Sequence, residues 1–194
     1  MTPPGLLHGG APSRVACVFC GARSGIDPRW AAGAHEFGRV LAQRGWRLVY
    51  GGGRVGLMGA LADGAIAAGG EVVGVIPRSL MDRELAHRGL ARLEVVSDMA
   101  ARKTRMIEMS DAFVALPGGL GTLDELFEVL TLRQIGEHRK PTALYDQDGY
   151  WTRLLETCRG MVDAGFVHGE DLDALHTGST ADAVLERLEH ALAR

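Results

Sequence analysis

The sequence predicts an α/β fold: a single domain whose doubly wound parallel sheet has about seven strands and carries helices on both faces. Short apolar runs alternate with longer segments of helical periodicity along the chain. Two glycine clusters lie directly between a predicted strand and a predicted helix. The 194 residues are 46% apolar and 23% charged, which suffices for one packed core and excludes intrinsic disorder.

The first half of the chain predicts a β-α-β-α-β series followed by a fourth strand. Asp27 and Pro28 predict the start of the first helix, as N-cap and first helical residue, and Gly45 its end. The strands are expected at residues 15–20, 47–50, 72–76 and 93–96, and the second helix at about 57–68.

The second half continues the same alternation. Helices are expected at about residues 98–110, 122–137, 150–164 and 181–193, and strands at 112–116, 142–145 and, more weakly, 172–176. Because parallel strands joined by helices form an open Rossmann-like sheet, a ligand is expected outside the carboxyl ends of the strands.

The N-terminal segment, the cysteine content and the net charge limit the classes of protein to which the chain can belong. Residues 1–13, rich in Pro and Gly, are expected to be a flexible tail before a nucleotide-binding domain at 14–194, with neither a leader nor a span of about 20 apolar residues. Three scattered cysteines indicate a reducing, cytoplasmic compartment. A net charge of −3 disfavours nucleic acid as a partner, so a small-molecule ligand is expected, without a membrane partner.

The glycine clusters indicate a phosphate site. They are Gly51-Gly52-Gly53-Arg54-Val55-Gly56 and Pro117-Gly118-Gly119-Leu120-Gly121-Thr122. Glycine lets successive backbone N–H groups approach an anion, and the following helix start adds partial positive charge. The chain has nineteen arginines but only two lysines, so the site must use backbone amides and arginine.

Two common nucleotide motifs do not fit. Gly51, Gly53 and Gly56 match G-x-G-x-x-G, but the next strand ends in Pro77-Arg78 where a ribose-binding acid is needed. No lysine follows either cluster as a P-loop requires. A mononucleotide or sugar-phosphate site remains, with tight strand-to-helix turns as the alternative.

Two charged side chains near these turns have two interpretations each. Glu125 fits a capping box with Thr122 as the N-cap, yet it can also face the phosphate crevice. Arg102 lies in a charged helical stretch that suits either a solvated face or a ligand contact.

Cys17 and Cys20 are expected on opposite faces of one strand, and the dispersed histidines predict no metal site.

The motifs together resemble those of the LOG family, the cytokinin riboside 5′-monophosphate phosphoribohydrolases, many of which carry a lysine decarboxylase label. The stretch from Pro117 to Glu125 is similar to P-G-G-x-G-T-x-x-E. The resemblance runs from about residue 15 to 166 and includes further matches to G-G-G-x-x-G-L-M-G, I-P-x-x-L-x-x-x-E, R-K-x-x-M and G-x-H-x-K-P, carried by Gly51 to Gly59, Ile76 to Glu84, Arg102 to Met106 and Gly136 to Pro141.

The resemblance implies hydrolysis of the N-glycosidic bond of an N6-modified AMP, a nucleoside 5′-monophosphate, by a homodimer that uses no cofactor. It implies Arg102 and Glu125 as the catalytic pair. The substrate-binding residues that it implies are Gly52, Gly53, Glu84, Met99, Lys103, Gly118, Gly119, Leu120, Gly121, Thr122, Leu123, Asp124 and Thr131.

Several alternatives stay open from the residues. Ala22, Ala100 and Leu132 replace residues usual in the family, which leaves the preferred base undefined, and a plain AMP nucleosidase fits equally. A nucleotide-binding module without catalysis is the competing class. Lysine decarboxylation is rejected, because neither lysine lies in an evident pocket for a Schiff base.

Overall fold

The protein, seen in a computed structural model that describes residues 14–81 and 86–194, alternates strands with helices. The strands are β1 (Val15–Phe19), β2 (Arg47–Tyr50), β3 (Val72–Pro77), β4 (Arg92–Val96), β5 (Ala112–Ala115), β6 (Thr142–Tyr145) and β7 (Leu175–Gly178). The α-helices are α1 (Arg29–Gln43), α2 (Gly56–Ala67), α3 (Met99–Glu108), α4 (Leu120–Gln134), α5 (Thr152–Asp163), α6 (Gly169–Asp173) and α7 (Ala181–Leu192).

All strands of the described chain join one parallel sheet in the order β4-β3-β2-β1-β5-β6-β7. The chain proceeds outward from β1 to β4, and then returns to place β5 on the other side of β1. The order therefore reverses between β1 and β5, and a crevice is expected outside their carboxyl ends. The predicted doubly wound sheet of about seven strands is confirmed.

Both faces of the sheet are covered by helices, as predicted. Alternate residues of β1 point to opposite sides, with Val18 in the cluster that α1, α2 and α7 cover and Cys17 in the cluster that α3 and α4 cover. A third cluster packs α4 and α5 against β5, β6 and β7. Cys20 lies on the face opposite Cys17, so the predicted separation of these two thiols is confirmed.

Several element boundaries differ from the prediction. Helix α4 begins at Leu120, two residues before the predicted N-cap, since Gly119 is the cap. The short helix α6 takes residue 172, so β7 starts at Leu175 and pairs with Thr142 in the sheet. Helix α5 starts at Thr152, after a 3₁₀ turn at Gln147–Gly149. The observed boundaries differ from the predicted ones because local propensity defines the ends of helices and strands only weakly.

The predicted tail at residues 1–13 lies outside the described residues. Helix α1 begins at Arg29 with Pro28 in the N-cap position, one residue later than predicted, and the Asp27 carboxylate just before it accepts the backbone N–H of Arg29 at 2.9 Å. Within 14–81 and 86–194, no helix is long and apolar enough to cross a bilayer.

Helices α1 and α2 meet backbone to backbone through glycine. A Cβ atom on Gly38 would lie 2.1 Å from the carbonyl oxygen of Leu61, and one on Gly64 would lie 2.0 Å from that of His35. Neither contact leaves room for a side chain, and neither can be relieved by a rotamer change, because the opposing atoms belong to the backbone. These glycines therefore determine how closely the two helices pack over the sheet.

We expect Gly38→Ala to lower the free energy of unfolding by about 1–3 kcal/mol through overpacking. Gly160→Ala is the matched control, since a Cβ there meets nothing within 4 Å in the described chain and the position is an exposed helix interior. The control should instead stabilise by about 0.5–1 kcal/mol. Urea unfolding of both variants measures the difference, and equal effects would contradict close packing through Gly38.

Candidate active site

A crevice of about 700 Å³ opens at the carboxyl ends of β1 and β5, where the strand order reverses. Three chain turns surround it: the segment after β1, the turn after β2 and the glycine turn after β5. Its lining includes Gly21, Arg23, Ser24, Trp30, Gly51, Met58, Met99, Arg102, Gly118, Gly119, Leu120, Gly121, Thr122, Glu125 and Tyr150.

The three turns are joined by backbone contacts that depend on glycine. Gly21 N–H donates to the carbonyl of Pro117 at 3.1 Å, and the Gly21 carbonyl accepts from Leu57 N–H at 3.0 Å. Gly56 has φ +65°, and a Cβ there would meet the carbonyl of Ala22 at 2.3 Å. The floor of the crevice is thus fixed by main chain rather than by side chains.

Arg102 extends from α3 into the base of the crevice and is only 5% exposed. Helix α3 is capped by Asp98, whose carboxylate accepts Ala101 N–H at 2.9 Å. The Arg102 guanidinium donates to the carbonyl of Gly51 at 3.2 Å. A Cβ on Gly51 would lie 1.9 Å from an Arg102 nitrogen, so the first glycine turn provides the space for this side chain.

Glu125 lies opposite Arg102 and is also buried, with 9% exposure. One of its carboxylate oxygens lies 4.0 Å from Nη2 of Arg102. Because α4 begins at Leu120, Glu125 is its sixth residue and Thr122 its third, so the capping-box interpretation is wrong. Burial, together with the Glu125 charge, raises the pKa of the Cys17 thiol beneath the site.

The second glycine turn leaves open space beside the start of α4. A Cβ on Gly119 or Gly121 would meet no atom of the described chain within 4 Å, so their own packing does not require glycine. Thr122 is 3% exposed, and a Cβ on Gly118 would lie 2.1 Å from its hydroxyl oxygen. The first N–H groups of a helix lack intrahelical partners, which makes this turn a ready site for an anion.

Sequence reasoning misses an aromatic wall of the crevice. The hydroxyl of Tyr150 donates to the carbonyl of Gly118 at 2.6 Å, and Trp30 packs edge-on against Tyr150 with ring centroids 5.4 Å apart. Periodicity alone assigns both residues to helices and gives neither a role at the site. The signal that could have found them is their place directly after strand-ending loops, which faces the crevice in this fold.

The predicted site residues divide into two groups. Arg102, Glu125, Met99, Leu120, Thr122 and the glycines at 118, 119 and 121 line the crevice. Among the described residues, Gly52, Gly53, Lys103, Leu123, Asp124 and Thr131 do not line it, and Glu84 lies outside the described residues.

The residues of the second group have other contacts in the described chain. Lys103 forms ion pairs with Asp124 at 3.1 Å and Glu128 at 2.5 Å, and Leu123 packs against the apolar cluster under α4. The carbonyl of Gly53 accepts the hydroxyl of Tyr50 at 3.1 Å. The described residues contain no group of three or more His, Cys, Asp or Glu side chains placed to hold a metal ion.

The fold is that of a Rossmann-like α/β protein, and the crevice lies at the switch point of its sheet. Its fold is similar to that of the molybdenum cofactor carrier protein of Chlamydomonas reinhardtii, with a TM-score of 0.72 at 22% identity over 94% of this chain and 100% of that one. The molybdenum cofactor binding protein of Rippkaea orientalis is similar, with a TM-score of 0.70 at 23% identity over 93% of this chain and 98% of that one.

The sequence comparisons show the family. A family model described as "Possible lysine decarboxylase" matches residues 58–188. The chain is 43% identical to cytokinin riboside 5′-monophosphate phosphoribohydrolase LOG7 of Arabidopsis thaliana, over 89% of this chain and 80% of that protein. It is 40% identical to a probable cytokinin riboside 5′-monophosphate phosphoribohydrolase, LOG4, of Oryza sativa subsp. japonica, over 97% and 82%. The chain belongs to the LOG family of cytokinin riboside 5′-monophosphate phosphoribohydrolases.

We expect Gly51→Ala to displace the guanidinium of Arg102 while leaving the fold intact, because φ at residue 51 is not positive and the clashing atoms are side-chain ends. Misplacement of a reacting group by about 1 Å costs on the order of 10²-fold in rate. A crystal structure of the variant locates the guanidinium, and turnover measures the loss. Gly160→Ala is the control, and an unmoved Arg102 with full activity would refute this role of Gly51.

Proposed function

We propose that the protein hydrolyses the N-glycosidic bond of N6-modified adenosine 5′-monophosphates, releasing the free base and ribose 5-phosphate. The observation that carries this proposal is the buried pair of Arg102 and Glu125, 4.0 Å apart at the base of a crevice rimmed by the glycine turn of α4. The names of the relatives, which are cytokinin riboside 5′-monophosphate phosphoribohydrolases, support this substrate class.

Glu125 supplies the carboxylate that the reaction needs. Cleavage of an N-glycosidic bond passes through an oxocarbenium-like state, whose positive charge a nearby carboxylate stabilises. The same group orients or deprotonates the attacking water. Its burial in α4, beside the open turn at Gly119, supports a position next to the ribose of a bound monophosphate.

Arg102 and the glycine turn bind the two other parts of the substrate. The backbone N–H groups at the start of α4, with Thr122, bind the 5′-phosphate. Arg102 positions the substrate and stabilises the negative charge that develops on the purine as it leaves with the electron pair of the glycosidic bond. Phosphate binding remote from the reacting carbon then orients the glycosidic bond. Met99, Leu120 and Tyr150 complete the surroundings of the ligand.

The decarboxylase description of the family model does not suit the lysines of this chain. A Schiff-base mechanism needs a lysine amine in the pocket. Lys103 forms ion pairs with Asp124 and Glu128, and Nζ of Lys140 donates to the carbonyl of Ile107 at 2.7 Å. Neither lysine lines the crevice, and we propose a reaction that uses no cofactor and no metal.

The remaining site residues and the assembly belong to the same proposal. In this proposal the substrate is also contacted or supported by Gly52, Gly53, Glu84, Lys103, Leu123, Asp124 and Thr131.

A homodimer would cover the apolar side chains that α4 exposes, among them Leu120 and Phe127, with Ile135 just beyond its end. The free, buried cysteines suit the cytoplasm. We propose neither nucleic acid nor membrane as a partner.

The first test of the function uses three substrates. We expect base release from N6-isopentenyl-AMP but not from N6-isopentenyladenosine, because the phosphate anchors the substrate at the turn before α4. The rate with AMP then ranks plain against modified base. Chromatography of free base and ribose 5-phosphate measures all three, and the absence of base from every substrate would favour a binding module instead.

A second test separates catalysis from binding. Glu125→Gln keeps the shape of the side chain but removes its charge, so turnover should fall by about 10²–10⁴-fold while AMP still binds in calorimetry. Glu108→Gln removes a carboxylate from the exposed end of α3 and should leave turnover unchanged. If Glu125→Gln kept its turnover, Glu125 would not be the catalytic carboxylate.

A further inference from the structure

A second cavity, of about 670 Å³, opens at the opposite end of the sheet from the crevice. It lies at the amino ends of β6 and β7, beside Pro141 and Ala174, and the carboxyl-terminal parts of α4 and α7 form its walls. Positively charged or titratable side chains dominate the lining, namely Arg133, Arg139, His176, Arg187, His190 and Arg194. Glu170 and Asp173 are its acidic residues.

The cavity arginines lack the carboxylate partners that several arginines elsewhere on the protein have. Arg44 forms ion pairs with Asp182, Glu186 and Glu189, and Arg105 pairs with Glu94. Within the described chain, none of the four cavity arginines forms an ion pair, although Arg133 donates to the carbonyls of Arg139 and Lys140. Four guanidinium groups thus share one concave surface with two carboxylates, Glu170 and Asp173, and in the described chain none of the four is within ion-pair distance of a carboxylate.

The clustered positive charges affect the pKa of His176, which also lines the cavity. Burial lowers the pKa of His176, and the positive charges of Arg187, Arg133 and Arg194 lower it further. The other charged or titratable groups that face the cavity are Arg139, His190, Glu170 and Asp173. Like charges held together raise the free energy of the site, and a bound anion would relieve that cost.

We propose that this second cavity binds a small, multiply phosphorylated anion. Guanidinium groups bind phosphate oxygens in bidentate fashion, and several of them around one concavity match a ligand that carries several adjacent phosphates. The cavity volume falls within the range of sites for small molecules. The site is separate from the crevice at the other end of the strands, so it is available whether or not substrate is bound there.

Two alternative roles for the arginine cluster predict different behaviour. Arginines near helix carboxyl ends stabilise the helix dipole, and in that case they need no ligand. A basic surface also attracts nucleic acid, but the net charge of the whole chain is −3, which disfavours binding along an extended polyanion. The helix-dipole role predicts no anion binding at all, and the net charge favours a compact anion over an extended one.

The test uses inorganic triphosphate and the intact chain. We expect saturable binding by calorimetry at about 0.1 M salt, weakened at least about tenfold in Arg139→Ala/Arg187→Ala, because two of the four guanidinium groups are lost. Both side chains are exposed, so this variant should fold normally. The matched control is Arg153→Ala/Arg159→Ala, which removes the same charge from the exposed surface of α5 and should bind like the original protein.

A second readout locates the binding. The NMR signals of the His176 ring should show a higher pKa when triphosphate is present, because the anion offsets the neighbouring guanidinium charges. That change should disappear in Arg139→Ala/Arg187→Ala and persist in the control. The proposal is overturned by no saturable binding, by equal loss in both double variants, by binding that leaves His176 unchanged, or by a single-stranded oligonucleotide that binds more tightly and displaces triphosphate.

Discussion

The contact of three backbone turns at the switch point is the constraint on which the site depends. Since β5 returns to the side of β1 opposite β2, the turns after β1 and β5 meet at the carboxyl edge of the sheet. Their main chains bond directly through Gly21 and Pro117, and the turn before α2 joins them at Leu57. A side chain at residue 56 would press on the turn after β1, so the floor of the crevice is a property of the backbone.

That floor allows two opposite charges to be held out of water. Arg102 and Glu125 come from helices on the same face of the sheet, α3 and α4, and their side chains meet beneath the glycine turns. Burying an arginine is costly unless its charge is paired and hydrogen-bonded; here Glu125 offsets the charge of Arg102, and the Gly51 carbonyl accepts one of its N–H groups. The fold therefore holds these two oppositely charged side chains together in a buried position before substrate binds.

Some boundaries and neighbours could not be predicted from local pattern. Thr122 and Glu125 have the spacing of a capping box, and only the start of α4 at Leu120 shows that Glu125 lies beyond the first turn. Leu172 resembles the start of a strand, but pairing with β6 gives the sheet residues 175–178. Tyr150 reaches Gly118 across 32 positions of sequence, a contact that periodicity does not encode. The clustering of arginines from α4, α7 and the intervening loops is equally nonlocal.

The sequence by itself determined the α/β class, the alternation of strands with helices, the two glycine turns and the choice of Arg102 and Glu125 as residues that line the crevice, because these are recorded in local periodicity and short motifs. Tertiary structure alone decided that the turns meet, that Gly51 makes room for the guanidinium, and that Lys103 pairs with Asp124 and Glu128 outside the crevice. The physical reason is that strand order and helix packing determine which distant residues approach one another, and no local pattern specifies that order.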